Sequence, residues 1–250
     1  MSDDHILIER RGAVQVIRLN RPDKKNAITR AMYDRMAEAL RSGDEDADVR
    51  VHVFLGSPGA FSSGNDLQDF LAIAMGGEHG SDVWAFLNAL ATAQKPVVSG
   101  VDGLAIGIGT TIQLHCDLTF ATPASLFKTP FTDLALVPEA ASSLLAPQVM
   151  GPQRAFALLG MGEGFSAEDA HAAGLIWKIV EADALESEVM AAAETLAAKP
   201  PEALRLAKKL LKGPREPVLD RLREEGALFL ERLKSDEARE AFMAFMARKK

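Results

Sequence analysis

Up to about residue 180 the chain alternates short apolar runs, closed by glycine or proline, with segments whose apolar residues recur at helical spacing. That alternation argues for an α/β fold and against a sandwich or a helical bundle. Val14–Leu19 reads as a strand that Asn20-Arg21-Pro22-Asp23 ends with turn chemistry. Thr29 is placed to cap a helix with Met32, Met36, Ala39 and Leu40 on one face, closed by Ser42-Gly43. A buried strand over Val51–Leu55, a turn over 56–59, a helix over 82–93 and strands over 96–100 and 118–121 continue the rhythm. Ser166 and Asp169 have capping-box spacing before a short helix that Gly174 stops, and residues 175–180 read as a last strand. From about residue 184 nearly everything is helix-forming, punctuated by Pro200-Pro201 and Gly213-Pro214. A core over 1–195 and a C-terminal helical region over 196–250 are the expected divisions.

Several classes of function drop out next. The formal charge of −7 gives no general attraction for nucleic acid or anionic lipid, so an anionic ligand must be held locally. The most apolar tract, 97–118, is interrupted by Asp102, Gln113, His115 and Asp117 and is too broken to span a membrane. With an acidic start and no export signal, the cytoplasm is the expected compartment. Cys116 is the only cysteine, which excludes an intrachain disulfide, and its apolar setting marks an inert thiol beside a structural His115. The five histidines are scattered without a metal-binding motif, so no metal is expected. Gly107-Ile108-Gly109 invites a dinucleotide reading, but the third glycine of that fingerprint falls on Ile112. Ser62-Ser63-Gly64 lacks the glycine that precedes the serine of a nucleophile elbow.

Three segments place glycine beside polar residues where a strand should end, a setting in which the backbone can come close to a ligand and aim N–H groups at it. They are Asn20-Arg21-Pro22-Asp23-Lys24-Lys25-Asn26-Ala27, Phe61-Ser62-Ser63-Gly64-Asn65-Asp66-Leu67 and Val101-Asp102-Gly103-Leu104-Ala105-Ile106-Gly107-Ile108-Gly109. In order and spacing they resemble the crotonase, or enoyl-CoA hydratase/isomerase, superfamily over roughly residues 6 to 215. The resemblance implies a crotonase-like spiral of ββα turns with a C-terminal helical trimerisation region. It implies an acyl-CoA thioester substrate, no separate cofactor, and a homotrimer or dimer of trimers. By motif position the backbone N–H groups of Ser63 and Ile108 would hold the thioester oxygen, where enolate charge develops. Lys24, Ala27, Ser63, Gly64, Asn65, Asp66, Leu67 and Ile108 would line the substrate, with the Ala27 backbone against the adenine. Asp66 reads as an N-cap for a helix starting at Leu67. Gly76, Gly77 and Gly80 make residues 72–81 a candidate wall of the acyl pocket.

The acid/base residues decide the chemistry. Hydratases of this family use two glutamates, and the matching positions here hold Thr111 and Phe131, neither of which is a general base. The acid left nearby is Glu139, in Val137-Pro138-Glu139-Ala140-Ala141. Pro138 at a first helical position suits a helix N-terminus, whose dipole favours the carboxylate, while the apolar flanks push its pKa toward that of a useful base. Lys128-Thr129-Pro130-Phe131 ahead of Pro138-Glu139 resembles the peroxisomal-type Δ3,Δ2-enoyl-CoA isomerases, in which one glutamate shuttles the proton. The resemblance thus implies isomerisation of a 3-enoyl-CoA to the trans-2-enoyl-CoA in fatty acid oxidation, with Glu139 catalytic. A hydratase or an isomerase of ring-derived acyl-CoA, and an inactive acyl-CoA- or protein-binding scaffold, are the alternatives. For the coenzyme A phosphates there are two basic clusters, Arg21, Lys24 and Lys25, and Lys199, Arg205, Lys208, Lys209 and Lys212, the second opposed only by Glu202.

Overall fold

The computed structural model describes residues 5–66, 68–69 and 81–247. Its frame is a six-stranded sheet, in the order β1 (Ile6–Arg11), β2 (Val14–Leu19), β3 (Val51–Leu55), β5 (Val97–Val101), β7 (Leu118–Ala121) and β10 (Lys178–Ile179). β1 and β2 form an antiparallel hairpin, and the other neighbours are parallel. A smaller sheet runs β4 (Ala60–Ser62), β6 (Leu104–Ile106), β8 (Leu126–Lys128) and β9 (Phe165–Ser166). The pairs β3/β4, β5/β6 and β7/β8 each lend one strand to each sheet, and the chain then crosses over. This is the spiral of ββα turns, and it lays the glycine-rich segments after β4 and β6 side by side.

Helix α1 (Arg30–Glu45) starts as the sequence requires, with the Thr29 side chain accepting from the Met32 N–H, and it buries Met32, Met36, Ala39 and Leu40. It does not stop at Ser42-Gly43. Gly43 lies inside the helix, where a Cβ would sit 1.9 Å from Gln15 Oε1 and 2.6 Å from His52 Cε1. The glycine therefore lets the helix close down on the sheet rather than ending it. Tyr33 of α1 and Phe54 of β3 both pack on Phe86 of α2 (Ser81–Thr92), with ring centroids 5.5 and 6.3 Å apart.

After β6 comes one helical turn, α3 (Ile108–Thr111). Helix α4 spans Ser142–Leu159 and breaks at Gly151-Pro152, and α5 (Ala167–Ala172) carries the full Ser166/Asp169 capping box. The last strand keeps only two residues of the expected six. Helix α6 (Leu185–Ala197) covers the large sheet with Leu185, Val189, Met190 and Ala193. Helices α7 (Pro201–Lys212), α8 (Glu216–Leu233) and α9 (Asp236–Ala247) complete the chain. α8 and α9 return Val218, Leu222, Phe229, Leu233 and Phe242 to the main core. Among the described residues no helix is long and apolar enough to cross a membrane.

Candidate active site

The first basic loop is held by one residue. Asn26, at φ +54°, is fully buried, and its side chain accepts from the Arg21 N–H at 2.7 Å and donates to Ala60 O at 2.9 Å. Asparagine tolerates the left-handed region better than most side chains, which suits it to this turn. Arg21 turns inward, donating to Ala27 O at 3.0 Å and to Asp66 Oδ2 at 2.6 Å. Burial works against ionisation of Asp66, but the bond and charge of Arg21 outweigh it and hold the carboxyl below its usual range. Asp66 Oδ1 accepts from the Gln68 N–H at 2.9 Å, the bond expected of an N-cap. Arg21 and Lys24 both line the cleft, Arg21 with its guanidinium engaged by Ala27 O and Asp66 and Lys24 exposed on the rim.

The cleft, about 360 Å³, is lined by Lys24, Ala27, Ser63, Gly64, Asn65 and Asp66 on one side. Gly107, Phe131 and Leu136 lie across from them, and Phe245 of α9 also reaches the site. Leu67 and residues 72–80 lie outside the described residues. The two glycine turns touch at its head. Gly64 has φ +95° and Gly107 φ +56°; a Cβ on Gly64 would lie 3.2 Å from Ile106 O, and one on Gly107 4.0 Å from the Gly64 Cα. The residues that follow these glycines, Asn65 and Ile108, carry backbone N–H groups that meet no acceptor among the described residues. The Ser63 N–H, expected to be one of the donors, instead bonds Lys25 O at 2.9 Å and ties the second glycine segment to the first. Among the described residues the N–H groups without an acceptor at this contact are those of Asn65 and Ile108, whereas the Ser63 N–H expected there is already engaged. The Asn65 carboxamide is fixed from behind by the hydroxyl of Tyr33, which donates to its Oδ1.

Glu139 is 8% exposed, and its Oε1 accepts from the Thr111 hydroxyl at 3.2 Å, one turn beyond Gly107. The helix expected at Pro138 begins only at Ser142, because Ala140 (φ +60°) and Ala141 (φ +54°) adopt the left-handed conformation. Each such alanine costs about 1–2 kcal/mol, and nothing in the identity of alanine announces it. Glu139 therefore sits ahead of the helix start, not in its first turn, and the dipole argument for a low pKa loses its footing. Burial drives the carboxyl up to about 7, with the Thr111 bond opposing and the charge of Glu225 adding to the rise. The two positions where hydratases keep glutamates hold Thr111, bonded to Glu139, and buried Phe131.

A carboxyl raised in the fold keeps its proton to higher pH than in the unfolded chain, so it weakens the protein as pH rises from 4.5 through about 7. The full cost is roughly 3 kcal/mol above that window and nil below it. Glu139→Gln is therefore expected to melt at a higher temperature than wild type at pH 8, with the gain gone at pH 4. A gain that is independent of pH would show that the carboxyl is not held up by its surroundings.

The second basic cluster is put to another use. Lys208 pairs with Asp117 at 2.8 Å and donates to Lys95 O at 2.7 Å, and Lys212 donates to His115 O and Cys116 O at 3.1 and 3.0 Å. Arg205 pairs with Glu202 at 2.6 Å. The cluster faces a separate cavity that shares no residue with the cleft, so Lys208 and Lys212 fasten α7 to the body and do not line this chain's own cleft. Besides Glu202, Asp117, remote in sequence, opposes the cluster. Cys116 is buried, its thiol pushed up to about 12 by burial, and is no nucleophile. Among the described residues no group of three or more histidine, cysteine or acidic side chains is placed to hold a metal ion.

This spiral of ββα turns, with two glycine turns in contact and a buried, raised carboxyl bonded to the helical turn that follows one of them, is the architecture of the crotonase class. The match of residues 9–250 to the enoyl-CoA hydratase/isomerase family model makes the assignment plain: the chain belongs to that family. Enoyl-CoA delta isomerase 2 of Rattus norvegicus is 35% identical over 250 residues, covering 98% of this chain, which spans 64% of the length of that relative. Peroxisomal enoyl-CoA delta isomerase 3 of Mus musculus is 35% identical over 253 residues, covering 98% of this chain and 78% of its own. The solved structure of Pseudomonas aeruginosa OdaA superposes with a TM-score of 0.93 at 42% identity, covering 97% of this chain and 99% of its own.

Proposed function

We propose that the protein isomerises a 3-enoyl-CoA to the trans-2-enoyl-CoA, as a step of fatty acid oxidation, with Glu139 as the one acid/base. The observation that carries this is the pairing of one raised carboxyl with Thr111 and Phe131 where a hydratase needs its two glutamates. In this reading Glu139 removes a C2 proton, and the Asn65 and Ile108 amides hold the thioester oxygen of the dienolate. The same carboxyl then returns the proton to C4, so the double bond moves and the carboxylate is regenerated. A base with a pKa near the working pH both takes and gives a proton readily. Lys24 meets a coenzyme A phosphate at the rim, and no cofactor beyond the substrate's own coenzyme A enters. The names of the two isomerase relatives support this reading over hydration.

Assays of 3-hexenoyl-CoA isomerisation and crotonyl-CoA hydration check it. Isomerisation is expected to be faster by about 10²-fold or more, since hydration lacks its second catalytic carboxyl. Hydration as fast as isomerisation would sink the proposal.

We further propose a homotrimer built through the C-terminal layer. No residue of α7 is buried, and its Leu206, Leu210 and Leu211 are 44%, 83% and 87% exposed. Such leucines in a row mark a surface that another copy covers. Light scattering is expected to give three chain masses, or six for a dimer of trimers; a monomer at micromolar concentration would refute it.

A further inference from the structure

The C-terminal layer brings a second buried carboxyl to the turn that carries Glu139. Glu225 of α8 is 5% exposed. Its Oε1 accepts from the Ser143 N–H at 2.9 Å and from the Ser143 hydroxyl at 2.5 Å. These groups belong to the start of α4, where backbone donors have no partners inside the helix. Arg221, one turn earlier on α8, donates to the Ser143 hydroxyl at 2.9 Å. From the other side His115 Nε2–H donates to Ala140 O at 2.8 Å. The left-handed Ala140 and Ala141 are thereby held at both ends, and Glu139 is the residue before them.

A helix start needs only a small polar cap, and serine or asparagine serves well. Here the cap is a long acid, buried, and its Oε2 has no hydrogen-bond partner among the described residues. Burying such a group beside another acid is costly, so its presence at this position points to a task besides capping. We propose that Glu225 is a positioning residue for the proton transfer, holding the turn before α4 so that the Glu139 carboxyl stays against Thr111 and faces the substrate. The proposal rests on the isomerase reading.

Charge enters as well. Glu139 is bonded by the Thr111 hydroxyl of α3 and feels the charge of Glu225 on α8, which Arg221 in turn opposes, while its own charge acts on the Tyr33 hydroxyl of α1. Thr111 favours the ionised form of Glu139, whereas the charge of Glu225 disfavours it. Removing that charge should therefore lower the pH at which Glu139 titrates.

The test compares wild type with Glu225→Gln and Glu225→Ala. Glutamine keeps an oxygen for the Ser143 donors and loses the charge; alanine loses both. The Glu139 titration is followed by 13C NMR of protein labelled at glutamate, its signal identified by its absence from Glu139→Gln, alongside kcat, KM and melting temperature. Glu139 is expected to titrate at lower pH in Glu225→Gln. In Glu225→Ala kcat is expected to fall about tenfold or more with KM within about threefold, and glutamine to restore part of kcat. An unmoved Glu139 titration in Glu225→Gln, or a folded Glu225→Ala with unchanged kcat, overturns the proposal. A wild type without isomerase activity would sink the functional reading instead, and the Glu139 titration would still decide whether Glu225 acts on it.

Discussion

Glu139→Gln is expected to lower kcat for 3-enoyl-CoA isomerisation by about 10³-fold, within the range that a general acid/base supplies. KM should change little, because the carboxyl acts on the C2 and C4 protons while the amides and the rim hold the thioester and the coenzyme. The same substitution is expected to stabilise the protein above pH 7, since it removes a charge that burial disfavours. Loss of rate together with gain of stability separates removal of a catalytic base from damage to the fold. The kcat/KM of wild type is expected to rise with pH through about 7, the range in which Glu139 loses its proton, and Glu139→Gln to lose that limb.

The second large effect lies in the main chain. Replacing the amide at Asn65 or Ile108 by an ester removes one N–H and leaves every side chain in place. Each replacement is expected to cost about 10²–10³ in kcat, the scale of one preorganised oxyanion donor. The same exchange at Ser63 removes the bond to Lys25 O and is expected to cost about 1 kcal/mol of stability with kcat nearly intact. Measuring all three by nonsense suppression with the matching hydroxy acids decides between the two assignments. A rate collapse at Ser63 and none at Asn65 would place the donor at Ser63 instead.

Where local chemistry determines local structure, the sequence was a good guide. Thr29 with its helical apolar face, and Ser166 with Asp169, named the starts of α1 and α5, because a cap and a periodicity are properties of a few consecutive residues. The smaller sheet was not legible. Its strands β4, β6 and β8 are three residues each, too short to show a periodicity, and are paired with one another in the sheet. The start of α4 was misplaced because Ala140 and Ala141 are left-handed, between a bond from His115 to Ala140 O and the bonds of Ser143 to Glu225, two partners far away along the chain. Lys208 and Lys212 suggested a phosphate site for the same reason, since their partner Asp117 is remote from them. Glu139 stood out in the sequence as an acid with apolar flanks after the third glycine segment, and the structure buries it against Thr111. Its protonation was not legible, because the dipole and the burial argue in opposite directions until the helix start is located.

The most direct test of the account follows the proton itself. Wild type is given 3-hexenoyl-CoA carrying deuterium at C2 in ordinary water, and the 2-enoyl product is examined for deuterium at C4 during early turnover. If one buried carboxyl takes the proton and returns it, part of the C2 deuterium appears at C4, and Glu139→Gln abolishes the transfer. Product whose C4 hydrogen comes wholly from solvent, at a rate that Glu139→Gln leaves unchanged, would contradict the single-base shuttle.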